Sequence, residues 1–258
     1  MMTEASRDYL DGPHGRKIAY QRQTGQGPDR RRDVVFLHGF RSDMGGTKAE
    51  ALAERAAREG QGFLRFDLTG HGESSGKLAA FGIGDWLGDV SHVLDNLTDG
   101  PVVLVGSSLG GWLSLLYARA NPQRVAGLVT IAAAPDFTLR MEAEMTETER
   151  RQLAEDGHLT RPSAYSDKPD LFSRRLFDQG RENQIFGRPL KLPMPVRMLQ
   201  GTADVDVPMT DALRLLNHAE GEDIRLLLVK GADHSFSTPE CLAMIETAVA
   251  EVSGSARD

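Results

Sequence analysis

The stretch VVLVGSSLGGWLSLL, residues 102–116, passes from one pattern to another within five residues. Val102, Val103, Leu104 and Val105 are all apolar and mostly β-branched, as expected of a strand buried on both faces of a parallel sheet. Trp112, Leu113, Leu115, Leu116 and Ala118 then predict a helix, which Asn121-Pro122 ends. Only Gly106 to Gly110 reverse the chain between them. A turn that tight strains its central residue, and side chains two positions to either side would collide, so glycine is needed at both. Ser108 has Gly106 and Gly110 at those places, whereas Ser107 has Val105 and Leu109. Ser108 is therefore the candidate nucleophile. Its oxygen is expected above the sheet edge, with the N–H of Leu109 opening the helix toward the same space.

A serine hydroxyl is a poor nucleophile at neutral pH and needs a base within hydrogen-bond reach. In a sheet of this kind the acid and then the histidine are expected further along the chain. Of seven histidines, His218 and His234 lie far enough along. His218 falls near the end of the predicted helix TDALRLLNHAEG, where histidine suits the dipole or the surface. His234 follows the strand IRLLLV, at the end where catalytic loops of parallel sheets gather, and is the candidate base. The acid is sought in GTADVDVP, after the strand VRMLQG. There Asp204 stands three residues past Gly201 and four before Pro208, and it is favoured by this spacing and the required orienting role. Asp206 reads as a cap for the helix beginning near Pro208. Asp136, after LVTIAAAP, is the other position from which an acid could serve, and Asp233 points away from its neighbour. A second oxyanion donor is expected from the N–H of Phe40 in LHGFRS, with His38 holding that loop.

Outward from this centre, strands and helices alternate. SRDYL and KIAYQRQ are expected to pair across DGPHG. DVVFLHG and GFLRFDL read as strands around the helix TKAEALAERAAREG, and DWLGDVSHVLDNLTDG reads as the helix before the opening stretch. VAGLVTIAAA, VRMLQG and IRLLLV complete the strands, and PECLAMIETAVAEV closes the chain as a helix. Such alternation implies right-handed crossovers about a mostly parallel sheet flanked by helices, an α/β fold. Residues 137–191 break the rhythm with helical patterning and no strong buried strand, and their ten acidic and ten basic residues balance. Too long for an ordinary connection, the segment is expected to be a helical cap inserted between core residues 1–136 and 192–258 of a single domain. Phe172 and Phe177 are its candidate substrate-binding residues.

Composition narrows the functions further. At 258 residues the chain is long enough for one large core, and its net charge of −7 argues against a nucleic-acid partner. Cys241 is the single cysteine, which excludes an internal disulfide and suits a reducing compartment. No apolar run approaches a membrane span. Since MMTEASRDYLDGPHGRK also lacks the apolar segment of a secretory signal, a cytoplasmic location is expected. The glycines of DLTGHGESSG do not open a helix as a dinucleotide fingerprint requires, and neither a phosphate loop nor a metal-ligand spacing is present. No metal or cofactor is expected.

LHGFRS, DLTGHGESSG, GSSLGG, GTADVDVP and GADHSF together resemble the α/β-hydrolase family over nearly the whole chain. Within it, HGFRSDMGGTKA, FLRFDLTGHGESSGK, DGPVVLVGSSLGGWL and RPSAYS (161–166) resemble a narrower group: the mitochondrial α/β-hydrolase domain-containing protein ten and its bacterial relatives. The match is strongest from Val34 to Asp136. This resemblance implies a serine esterase or thioesterase, of a group that removes S-acyl groups from cysteine and hydrolyses acyl-glucuronides. It implies Ser108, Asp204 and His234 as the triad, and a small-molecule ester or thioester, or an S-acylated protein, as substrate. The same fold also hosts perhydrolase, haloperoxidase-like and peptidase activities and non-catalytic binding modules, so the site has to decide.

Overall fold

A computed structural model describes residues 7–26, 32–162 and 169–254. Ser6 of the expected first strand, and residues 163–166 of RPSAYS, lie outside these. The first half of the chain follows the expected alternation: β1 (Asp8–Asp11), β2 (Lys17–Gln23), β3 (Val34–Leu37), α1 (Thr47–Glu59), β4 (Phe63–Phe66), α2 (Ile83–Leu97), β5 (Val102–Ser107), α3 (Leu109–Ala120) and β6 (Val125–Ile131). The intervening segment holds α4 (Phe137–Glu144), α5 (Glu147–Asp156), β7 (His158–Arg161), β8 (Asp170–Ser173), α6 (Arg174–Glu182) and β9 (Leu190–Lys191). The chain then resumes with β10 (Val196–Gly201), α7 (Met209–His218), β11 (Ala219–Glu220), β12 (Ile224–Val229) and α8 (Pro239–Ser253).

Every residue of β3, β4 and β5 is buried, because apolar strands here carry helices on both faces. The eight-stranded sheet runs β1-β2-β4-β3-β5-β6-β10-β12. The strands from β4 to β12 are mutually parallel, while β2 pairs antiparallel with both β1 and β4. From β3 the chain steps outward to β4, then returns to β5 on β3's other side and continues to β12. The crevice at that reversal, outside the carboxyl ends of β3 and β5, is where such sheets bind ligands.

One face of the sheet is covered by α2 and α3, whose Trp86, Trp112 and Leu113 are fully buried. The other face is covered by α1 and α8 through Leu52, Ala56, Ile245 and Val249, with Cys241 among them. The indoles also tie loops to helices: Trp86 Nε1 donates to Thr69 O at 2.9 Å and Trp112 Nε1 to Asn183 O at 3.1 Å. Helix α1 ends as its sequence predicts. Gly60 takes φ 61 and its N–H returns to the carbonyls of Ala56 and Ala57.

The segment from 137 to 191 is helical as expected but also contains a strand pair that the sequence did not reveal. β7 and β8 pair antiparallel, with Leu159 opposite Phe172. HLTR and DLFS each have too few apolar residues to show a period, and their pairing partner lies beyond a loop. Helix α6 packs on α4 so closely that a Cβ at Gly180 would stand 2.1 Å from Thr138 Oγ1.

Candidate active site

Ser108 links β5 to α3 at φ 52 and ψ −114, a conformation rare for any residue with a side chain. The turn is fixed from outside: Ser108 N–H donates to Ile131 O at 2.9 Å, and its carbonyl accepts from Trp112 N–H and Ala134 N–H, each at 3.2 Å. The two glycines are sterically required. A Cβ on Gly106 would lie 2.3 Å from Gly110 O, and one on Gly110 would lie 2.1 Å from Leu37 O. Ser107, by contrast, is a buried strand residue.

The loop after β12 brings His234 to this serine, with Nε2 3.2 Å from Ser108 Oγ. The loop after β10 brings Asp204 to the other ring nitrogen, with Oδ2 2.8 Å from Nδ1. Asp204 receives the N–H groups of Asp206 and Val207 on Oδ1, and that of Gln200 Nε2 on Oδ2. Burial alone would push its carboxyl up, but the hydrogen bonds from His234, Val207 and Gln200 outweigh burial and hold it below the ordinary carboxylate value. An anionic Asp204 fixes Nδ1 as the protonated nitrogen and leaves the Nε2 lone pair facing the serine hydroxyl. Asp206 offers an oxygen within 4.8 Å of these groups. All four acceptor positions of Asp204 are taken by these N–H donors, so its carboxylate is committed to holding the imidazole and the loop.

The other candidates are placed elsewhere. Asp206 does not cap α7, whose N-cap is Pro208 with no side-chain bond, because the chain turns into the helix only after Val207. Asp136 accepts from the N–H groups of Ile185 and Phe186 at 2.7 and 2.9 Å and so ties down the chain that follows α6. Asp233 accepts from Phe236 N–H, and His218 lies against the carbonyls of Ile185 and Arg188. His38 holds its loop as expected: Nδ1 is 2.8 Å from Gly39 O, and Nε2 accepts from Leu68 N–H at 3.1 Å.

Among the described residues, no acceptor takes the N–H of Phe40 or of Leu109. The Phe40 loop runs so near the nucleophile that a Cβ on Gly39 would touch Ser108 Cβ at 3.3 Å. Two clefts meet at Ser108 and His234. One, of about 490 Å3, is polar and lined by Arg41, Ser42, Asp43, Lys48 and Ser237. The other, of about 460 Å3, is bounded by Phe40, Phe137, Met141, Phe172 and Val207 together with the charged Arg140, Glu144, Arg161 and Asp170. Phe172 is thus at the cleft. Phe177 is not: it is fully buried and lines neither cleft, because α6 turns it inward to the core.

Three contributors escaped the sequence reading. Gln200 supports Asp204 from inside β10, where nothing distinguishes it from a core position. Lys48 at the start of α1 donates to Ser235 O at 2.6 Å, steadying the residue beside His234 across 187 positions of chain. His71 packs beside His38, Phe40 and Trp86. Burial, then the neighbouring His38, lowers its pKa to about 3. The HG pair in DLTGHGESSG was the only signal for it.

Residues 34–246 match the model of the alpha/beta hydrolase family. The mitochondrial palmitoyl-protein thioesterase ABHD10 of Rattus norvegicus is 33% identical over 88% of this chain and 75% of its own. A hydrolase of Agrobacterium vitis S4 superposes with a TM-score of 0.91 at 36% identity, covering 98% of this chain and 100% of that one. Mouse alpha/beta hydrolase domain-containing protein 10 gives 0.87 at 30% identity over 96% and 98%. These relatives correct one expectation. The rat, mouse, bovine and human thioesterases are all mitochondrial proteins, and the cytoplasmic location does not stand. One buried cysteine suits any reducing compartment equally, so it could not separate them.

Proposed function

The chain belongs to the alpha/beta hydrolase family, and from that premise we propose that it is a serine hydrolase cleaving carboxylic esters or thioesters through an acyl-enzyme. The observation that carries this reading is one unbroken line of contacts, Ser108 Oγ to His234 Nε2 at 3.2 Å and Nδ1 to Asp204 Oδ2 at 2.8 Å. In the first step His234 takes the Ser108 proton while the oxygen attacks the substrate carbonyl. Asp204 holds the tautomer and balances the imidazolium that forms. The N–H groups of Leu109 and Phe40, with no partner among the described residues, receive the oxyanion. The imidazolium returns its proton to the departing alcohol or thiol. Water, deprotonated by the same ring, then attacks the acyl-enzyme, and the ring passes that proton to Ser108 Oγ as the bond to the acyl group breaks and the acid leaves.

In this reading residues 137–191 form a cap, and its Phe137, Met141 and Phe172 hold the acyl chain in the less polar cleft. The thioesterase relatives support an S-acyl substrate, with the thiol leaving through the polar cleft. Ser108→Ala should lower kcat by on the order of 10⁴–10⁶ and abolish labelling by a fluorophosphonate, while Ser107→Ala keeps most activity. Comparable losses from both, with the fold intact, would sink the assignment. A panel of matched oxygen esters and thioesters then decides the leaving group.

A further inference from the structure

The turn that carries Phe40 contains a strained residue. Ser42 N–H closes it on Gly39 O at 3.2 Å, and Arg41, the third of its four residues, has φ 59. A positive φ confined to that place is the type II pattern, whose third position ordinarily takes glycine or asparagine. An arginine there is strained against its own Cβ, so the turn needs outside support. Support comes from β8 in two ways. The Phe40 ring stacks on Phe172 at 5.7 Å and 15°, with His71 and Trp86 of the core edge-on to it, each at 6.1 Å. The Arg41 guanidinium pairs with the carboxylate of Asp170, the two side chains 30% and 20% exposed. Arg41 lines the polar cleft, while Asp170 and Phe172 line the other. The fastening therefore stands between the two clefts, beside Ser108.

We propose that Arg41 and Asp170 are positioning residues for the oxyanion donor: their ion pair ties the strained turn to β8 and so sets where the Phe40 N–H points. This rests on the reading of Ser108 and Phe40 given above. A donor acts on kcat when it is aimed at the charge that develops, and ground-state binding does not depend on that aim. Loosening the pair therefore lowers kcat and spares KM, even for an acyl group too short to need the cap.

The test measures p-nitrophenyl acetate hydrolysis by Arg41→Ala, Asp170→Asn, their double variant and the charge-keeping Asp170→Glu. Each single variant should lose about tenfold in kcat, less than the 10²–10³ of removing a donor outright, with KM within about twofold. Affinity for a trifluoromethyl ketone, whose serine adduct carries an oxyanion, should fall by the same factor. The double variant should be no worse than either single one, since one interaction is being broken, and Asp170→Glu should retain most of the activity. Unchanged kcat and ketone affinity alongside a lowered melting temperature would reduce the pair to hairpin packing and overturn the proposal. Additive losses would overturn it too. Should Arg41→Ala fail to fold, Asp170→Asn decides alone. A wild-type chain that hydrolyses no ester and takes no fluorophosphonate at Ser108 would instead remove the underlying reading, a result visible before any variant is made.

Discussion

Two aspartates two residues apart separate at the level of single hydrogen bonds. Asp204 is fully enclosed and spends both oxygens on the His234 ring, Gln200 and two backbone amides. Asp206 contributes its own N–H to Asp204 and its carbonyl to Arg140. Asp204→Asn should therefore cost about 10⁴ in kcat by favouring the wrong tautomer, and Asp206→Asn less than about tenfold, as steady-state kinetics at one pH will show. If Asp206→Asn is the crippling change, the assignment of the acid is wrong. His71 makes a second residue-scale prediction. Its pKa is about 3 in the folded protein against 6.5 for an unperturbed ring. Between those values the unfolded chain binds a proton that the native state refuses, so stability falls on acidification from pH 6.5 and levels off near 3. The slope from this one group is at most about 1.4 kcal/mol per pH unit. His71→Phe keeps an aromatic ring beside Phe40 and Trp86, so urea melts across that window should show a flatter profile than wild type. An identical slope would mean that the ring titrates normally.

The elements between residues 137 and 191 divide between core and cleft. On β8, Phe172 turns toward the cleft and stacks on Phe40. On α6, Leu176 and Phe177 turn into the core beneath, with Gly180 pressed against α4. Phe177→Ala should cost about 3–5 kcal/mol of stability and lower activity on all substrates alike through loss of folded protein. Phe172→Ala should melt closer to wild type and weaken discrimination among long acyl chains. Thermal melts run beside a chain-length series separate the two, and the reverse pattern would invert the assignment of cleft and core. At the elbow, Gly110→Ala should prevent native folding, because its new Cβ would overlap the carbonyls of Leu37, the last residue of β3, and of His38 just after it, which cannot move without disturbing the sheet.

At the scale of the molecule, the parallel sheet delivers the loops after β3, β5, β10 and β12 to a single edge. Phe40, Ser108, Asp204 and His234 meet there although 194 positions separate the first from the last. In the proposed reading, the cleft of about 460 Å3 beside them holds the acyl group and sets its range. With about 0.8 kcal/mol per buried methylene, kcat/KM should rise roughly fourfold per carbon until the cleft is full and then level off. A flat profile from acetyl upward would show that the acyl chain lies elsewhere. Much of this was legible in one dimension. The apolar run of β5, the glycines flanking Ser108 and the spacing around Asp204 each reflect a local requirement: burial on both faces, steric room at a tight turn, and a fixed loop length. Local requirements leave their mark within a few residues, so the α/β alternation and the candidate nucleophile, acid and base could be read directly. What remained hidden was decided by contacts between distant segments. Pairing of β7 with β8, the inward turn of Phe177, the support of Asp204 by Gln200 and of the His234 loop by Lys48, and the tie from Arg41 to Asp170 depend on which surfaces the sheet brings together. Residue type alone does not record this: a phenylalanine suits a core and a cleft equally well, and only the packed neighbours determine which it occupies.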